Sequence, residues 1–340
     1  YSLEVEVRWH KDGEQRTHKY RYTKALSALL IISLLLGIVS LNLLFQQEET
    51  LKYANIEALT ADDLREFNAS YSPDGNYLVF QRFNSHCENH IWAKDLTNNQ
   101  EIRLTKNWGH YGSFSWSPDG TQIAFVEQSN CMVLAEPESV ACWELASLDV
   151  MAALKAPQEV NVLLNCGSQE IGLPQWLNNG DIAMLYDSGD GLQLARFNNE
   201  SGELDKHSFS SKNTLLSLTS PFDKNELALY SRKEDGSHII QRITADTFSL
   251  INNIQLLPPA HLLLHDKIWP KYHPDGRSFL MNTGSGLYLA NERGEMDRIS
   301  LPTYQEIFTP TFHPSGEAII GTVGNIDTDI IEFNASTATV

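Results

Sequence analysis

Positive charge is what this 340-residue chain has least of: 25 Lys and Arg stand against 43 Asp and Glu, a formal charge of −18. Phosphate backbones demand the opposite excess, so the residues present do not read as a nucleic-acid binder. Disorder is excluded by a second balance, 42% hydrophobic against 20% charged residues. Catalytic signatures are missing too: there is no Gly-x-Ser-x-Gly elbow, HExxH, Walker A or strand-following GxGxxG. Asp187-Ser188-Gly189-Asp190-Gly191 lacks the further carboxylates and closing Glu of a calcium loop, and reads as a turn. No catalytic, cofactor-binding or metal-ligating residue is assigned, and no enzyme is expected. Cysteine is scarce, and the four present (Cys87, Cys131, Cys142, Cys166) form no CxxC, which argues against a zinc or redox motif. An initiator Met is absent as well. The chain opens at Tyr1, so further sequence is expected upstream.

What the chain does have is one long apolar run. Residues 25–45 read ALSALLIISLLLGIVSLNLLF, 21 residues without a charge. As a helix they extend about 30 Å, the thickness of a bilayer's hydrocarbon core. A signal peptide would have a shorter apolar region and a small-residue cleavage site, and Leu43-Leu44-Phe45-Gln46-Gln47 offers none. A buried soluble helix is rarely apolar on every face over such a length. A single transmembrane helix is therefore expected. Arg16, Lys19, Arg21 and Lys24 precede it, and Glu48 and Glu49 follow it. By the positive-inside rule, residues 1–24 are cytoplasmic and 46–340 lie outside. The charge divides accordingly, with +2 on residues 1–24 and −20 on 46–340.

The outer segment is repetitive. Ser72-Pro73-Asp74-Gly75, Ser117-Pro118-Asp119-Gly120, His273-Pro274-Asp275-Gly276 and His313-Pro314-Ser315-Gly316 are copies of one tetrapeptide. Trp176-Leu177-Asn178-Asn179-Gly180 and Ser220-Pro221-Phe222-Asp223-Lys224-Asn225 are degenerate copies in the central gap. Pro sets φ at the second turn position, and Gly, or Asn next best, accepts the left-handed conformation that closes a hairpin. The turn ends fall at 75, 120, 180, 225, 276 and 316, and each is followed by a short apolar stretch such as Tyr77-Leu78-Val79-Phe80. Consecutive apolar positions in a run too short for a helix describe a strand buried on both faces. A third recurring element is a strand such as His90-Ile91-Trp92-Ala93-Lys94-Asp95-Leu96, repeated as Gly286-Leu287-Tyr288-Leu289-Ala290 and Asp329-Ile330-Ile331-Glu332-Phe333. Six units of about 49 residues each match β-propeller blades. The expected fold is all-β, a six-bladed propeller preceded by the transmembrane helix. Leu59-Thr60 echoes Leu104-Thr105, so residues 53–60 are expected to supply the outer strand of the last blade and close the ring.

Leu-Thr, a spacer, Ser-Pro-Asp-Gly, an apolar strand and an Ile-Trp-like strand together resemble the TolB-type β-propeller repeat, over nearly all of 50–340. The middle copies depart from the pattern, which leaves their blade boundaries open. All four cysteines lie in this segment, where a bacterial envelope is oxidising. Cys131 and Cys142 bracket the insertion that makes the second unit the longest, and they are the preferred disulfide among three connectivities. Nine of the eleven histidines are outside, including His86, His90, His261 and His265, and they could make the domain acid-responsive.

The inner piece begins Tyr1-Ser2-Leu3-Glu4-Val5-Glu6-Val7, alternating as a strand does. Tyr1-Ser2-Leu3 matches the end of the Gly-Tyr-x-Leu pattern in the last hairpin of OmpR-type winged helices. With the basic linker and the membrane run, the layout resembles a ToxR/CadC-type membrane-bound transcriptional regulator. That resemblance implies promoter DNA held by a winged helix upstream of Tyr1, and an envelope protein or small-molecule signal sensed by a periplasmic propeller. It also implies an inner-membrane location. Such winged helices often act in pairs, which makes a homodimer compatible, though no residue marks a dimer face. The alternative is a membrane-tethered, TolB-like envelope protein that acts as an interaction scaffold and does not touch DNA.

Overall fold

Each Ser-Pro-Asp-Gly copy closes the same hydrogen-bonded loop. The computed structural model describes residues 30–34, 37 and 51–324, apart from 54, 61, 86, 130–141, 166–169, 188, 190, 208–212, 222–225 and 304. Gly75 N donates to Ser72 O at 2.9 Å, and Tyr77 N to Ser72 Oγ at 2.9 Å. Ser72 Oγ donates to Asp74 Oδ1 at 2.5 Å. The second copy repeats this, with Gly120 N to Ser117 O at 2.9 Å and Ser117 Oγ to Asp119 Oδ1 at 2.6 Å. Where His replaces Ser, the ring nitrogen accepts instead from the N–H two residues on: His273 Nδ1 from Asp275 N, and His313 Nδ1 from Ser315 N, both at 3.1 Å. Pro73, Pro118, Pro274 and Pro314 stand at the second position of these loops. The degenerate third copy still closes, Gly180 N donating to Leu177 O at 3.0 Å. Positions 222–225 of the fourth lie outside the described residues.

These loops join the first two strands of six antiparallel sheets. The first holds β2 (Arg65–Tyr71), β3 (Tyr77–Phe83), β4 (Asn89–Asp95) and β5 (Gln100–Arg103). The second holds β6 (Ser115–Trp116), β7 (Gln122–Ser129), β8 (Cys142–Asp149) and β9 (Asn161–Leu164). The third holds β10 (Glu170–Trp176), β11 (Ile182–Asp187), β12 (Leu192–Phe197) and β13 (Leu204–His207). The fourth holds β14 (Thr214–Thr219), β15 (Glu226–Arg232), β16 (His238–Thr244) and β17 (Leu250–Gln255). The fifth holds β18 (Lys271–Tyr272), β19 (Phe279–Asn282), β20 (Leu287–Ala290) and β21 (Met296–Ser300). In the sixth only β22 (Glu306–Phe312) and β23 (Ile319–Gly324) are described. The expected third strand at 329–333 lies outside the described residues. Five sheets are therefore four-stranded blades, the fifth carrying an added edge strand, and the fold is an all-β propeller.

The second strand of each four-stranded blade is buried on both faces, as its unbroken apolar run predicts; β3 and β15 are buried throughout but for their ends, whereas β23 of the sixth sheet buries only Ile320. Burial is organised between sheets. Val79 and Ile91 of the first blade pack with Ile123 and Phe125 of the second. Tyr230 and Ile240 of the fourth pack with Phe279 and Met281 of the fifth. Phe312 of the sixth sheet packs with Leu280 and Leu287, while Ile320 joins Tyr71 and Phe80 of the first. The sixth sheet thus bridges the fifth and the first. Burying such side chains contributes roughly 1.5–3 kcal/mol apiece. Within the first blade, Arg82 is 7% exposed and binds both Glu66 (2.5 Å) and Glu101 (2.7 Å), with its guanidinium 4.6 Å from the Trp92 ring. A buried charge so paired ties the inner strand to the outer one.

Several expectations change. Residues 53–60 do not form the outer strand of the last blade. The strand is β1 (Leu51–Lys52), which pairs in parallel with β21 on the edge of the fifth sheet, and Tyr53 N continues the ladder to Ser300 O at 3.0 Å. Tyr53 then packs on the cluster shared by the fifth and sixth sheets, and that burial anchors the segment one sheet earlier than its Leu-Thr echo implied. His90 is buried, and desolvation, with Arg103 second, pushes its pKa below the usual imidazole value. It is a poor acid sensor near neutrality.

Residues before Thr50 form a separate unit, Tyr1–Glu49. Most of the 25–45 run and all of the 1–9 segment lie outside the described residues. Within the run, 30–34 and 37 are helical, Ser33 Oγ donates back to Leu30 O at 2.9 Å, and Leu30, Ile31, Ile32 and Leu34 are exposed. Among the described residues no helix is long and apolar enough to cross a membrane. Cys87 and Cys142 are both disulfide-bonded, and Cys131 and Cys166 lie outside the described residues.

Candidate functional site

The innermost strands do not run straight into their turns. In β2, β10 and β22 two residues oppose one on the neighbouring strand, a bulge between Phe67 and Ser70, Gly172 and Gln175, and Phe308 and Thr311. Each bulge carries a residue with positive φ: Asn68 (56°), Leu173 (49°) and Thr309 (45°). All three stand seven residues before the turn glycine of their own repeat. A bulge sharpens the local twist and re-aims the side chains after it.

Those re-aimed side chains converge. Ser70, Ser115, Gln175, Lys271 and Thr311, each five residues before its turn glycine, line one cavity of ≈ 80 Å³, and the fourth blade adds Thr219 and Ser220. Every sheet contributes, so the cavity is the turn-side mouth of the channel that the sheets surround. The next residue along also reaches its wall in five repeats: Trp116, Trp176, Pro221, Tyr272 and Phe312.

Hydrogen bonds stitch part of this ring together. Trp176 N donates to Ser115 Oγ at 2.8 Å, linking the second blade to the third. Ser220 donates to Gln175 Oε1 through its N (2.9 Å) and its Oγ (3.0 Å), linking the third to the fourth. Lys271 differs from the others. It is the one charged side chain among the ring positions, and its ammonium makes no hydrogen bond or ion pair with any described residue. The residue is half-buried at the mouth, and burial pushes its pKa down. Beside it, His273 is committed, its Nδ1 accepting from Asp275 N at 3.1 Å.

The turn residues singled out from the sequence (Pro73, Asp74 and Gly75; Pro118, Asp119 and Gly120; Pro274, Asp275 and Gly276; Pro314 and Gly316) work by shaping the chain. Pro118 and Pro274 also touch the cavity. The ring residues themselves were not singled out. Their types vary, and only counting back from each glycine reveals the shared position. Among the described residues no group of His, Cys, Asp and Glu is arranged to hold a metal ion.

No family model and no curated protein matches the chain. Solved structures do. TolB from Acinetobacter baumannii is similar over 71% of this chain, at 17% identity and a TM-score of 0.52; the chain spans 55% of that protein's length. A putative TolB from Agrobacterium tumefaciens is similar over 79% of this chain and 94% of its own, at 12% identity and a TM-score of 0.55. An oligogalacturonate lyase in complex with manganese matches over 78% and 79%, at 17% identity and a TM-score of 0.52. Likeness at such identities shows the fold, a TolB-like β-propeller, and no more. A fold shared by TolB proteins and a lyase does not choose a function.

Proposed function

We propose that this protein is a membrane-tethered binding module whose six-bladed propeller, outside the membrane, recognises a partner at the turn-side mouth of its channel. The observation that carries this reading is the convergence of one position from each repeat on one cavity, where neutral polar groups surround a single lysine. Such a ring offers hydrogen bonds and one charge, which suits recognition. The sixth sheet completes a blade with chain beyond 324, and the 25–45 run serves as a single-pass inner-membrane anchor with residues 1–24 in the cytoplasm. The TolB-like fold supports the scaffold reading, in which the partner is another envelope protein. Crosslinking in intact cells through a photoreactive residue at Thr311, followed by recovery of the adduct, tests it. A discrete envelope partner that is lost when the ring is substituted is the expected result. A propeller-side cysteine that labels only from the cytoplasm would refute the topology.

A second reading is favoured by the Tyr1-Ser2-Leu3 match and the basic flank at Arg16, Lys19, Arg21 and Lys24. In it, a winged helix upstream of Tyr1 binds promoter DNA, as a homodimer where the sites are paired, and the propeller reports a signal to it. Deleting the propeller alone then changes transcription at specific promoters. Unchanged transcription, with the envelope partner still captured by the full chain, leaves the scaffold reading standing.

A further inference from the structure

Lys271 is the feature that a purely structural account of the channel leaves over. Even half-burying an ammonium without a counter-charge is costly, and proteins ordinarily pair such a group or replace it with a neutral one. The other ring positions are neutral, so nothing in the repeat requires charge here. The neighbouring hydroxyls leave it unanswered. Ser70 and Thr311 make no side-chain hydrogen bond with any described residue, and Ser115 Oγ accepts from Trp176 N, so its own proton remains free to donate. His273 cannot supply negative charge, and its Nδ1 is occupied by Asp275 N. One cation and several O–H donors therefore face a cavity of ≈ 80 Å³, enough for about six water-sized groups.

We propose that the channel mouth binds a carboxylate, its charge paired with the Lys271 ammonium and its second oxygen accepting from the Ser70, Ser115 or Thr311 hydroxyls. A monoanion fits better than a dianion, because a single cation compensates one charge and the outer segment carries a net −20 that repels more. A planar carboxylate with a short stem also matches the volume. The carboxylate comes either from a small organic acid or from the end of a polypeptide chain, and both present the same group to Lys271. This deepens the reading of the mouth as a recognition site and rests on it, although neither the membrane tether nor the identity of the larger partner enters.

The test uses the full chain in detergent micelles and follows its melting temperature. The probes are sodium acetate, triglycine, triglycine amide, sodium phosphate, and sodium chloride at matched ionic strength. A ligand that binds only the folded state raises the melting temperature with concentration. Acetate or triglycine should raise it by several degrees above the chloride control, and triglycine amide should not. Lys271→Met should weaken the effective probe at least tenfold, while Lys271→Arg should keep it within a few-fold. The Met variant loses no contact in the free protein, so its own melting temperature should equal or exceed that of the wild type, which keeps the comparison valid. A shift by acetate alone identifies a small acid, and a shift by triglycine alone a chain end. The proposal is overturned if no carboxylate acts beyond chloride, if Lys271→Met responds as the wild type does, or if phosphate binds more tightly than either carboxylate. Capture of an envelope partner that ignores Lys271→Met would sink this site while sparing the scaffold reading.

Discussion

A single residue can set the pH response of this propeller. Glu127 of β7 lies directly across from Glu144 of β8, in the blade that also packs Tyr111 against Phe125. Burial first, and Glu144 second, push the Glu127 carboxyl up to about 7. A carboxyl whose folded pKa exceeds its unfolded value holds its proton more tightly in the fold. Its contribution is complete below the unfolded value near 4.5 and is lost as pH rises through about 7. After allowance for its partial exposure, the loss is on the order of 1–2 kcal/mol. Glu127→Gln should flatten the decline in stability between pH 5 and 7.5 and leave the variant more stable than the wild type at pH 7.5. Parallel decline in both proteins, measured by urea midpoints across that range, would refute this. None of it was legible in the sequence, because two glutamates 17 positions apart become opposed only through the register of a hairpin. The histidines invited the pH argument instead, and burial took His90 out of it.

At the scale of the element, the tetrapeptide turns were legible and the bulges were not. Pro, Asp and Gly act through local torsions and short side-chain bonds, so their chemistry can be read without a fold. The bulge residues Asn68, Leu173 and Thr309 share a torsion but no side-chain type. The left-handed region costs an L residue about 1–2 kcal/mol, less for Asn. Thr309 is exposed, so replacing it removes strain without opening a cavity. Thr309→Gly should raise the urea midpoint, at unchanged m, by about 1 kcal/mol in stability, and Asn68→Gly by less. A lower midpoint for Thr309→Gly would mean that the bulge is not strained there. The insertion in the second unit gives another expectation. If Cys131 pairs with Cys142, the bonded Cys87 is left with Cys166. Peptide mapping without reductant should recover those two pairs, and a Cys87–Cys131 fragment would refute the assignment.

Closure is a property of the whole molecule, and the sequence misplaced its means. The expected device was an N-terminal strand on the last blade, yet β1 went to the fifth sheet. Pairing between distant segments is decided by which edge is open and which side chains find a cavity, and neither shows in a local motif. The structure closes by repeating one contact. The His273 and Phe312 rings meet edge-on at 4.5 Å between the fifth and sixth sheets, and His313 and Tyr71 meet the same way at 4.7 Å between the sixth and the first. At that last seam, Thr322 Oγ1 also donates to Glu66 O at 2.7 Å. Gly75 completes the seam, since a Cβ there would stand 2.8 Å from His313 Nε2. The His313 ring cannot swing away freely, because Tyr71 packs on its face and Ser315 N holds its Nδ1. Gly202 is the control, with φ of +74° against +73° for Gly75 and open space around its Cβ. Both Gly→Ala changes carry the left-handed penalty of about 1 kcal/mol, so their difference isolates the seam. Gly75→Ala should cost about 1 kcal/mol more than Gly202→Ala. In a His313→Ala background that excess should vanish, a coupling of at least about 0.5 kcal/mol by double-mutant cycle. Equal costs in both backgrounds would show that the sixth sheet and the first blade touch without holding each other, and that the ring is shut elsewhere.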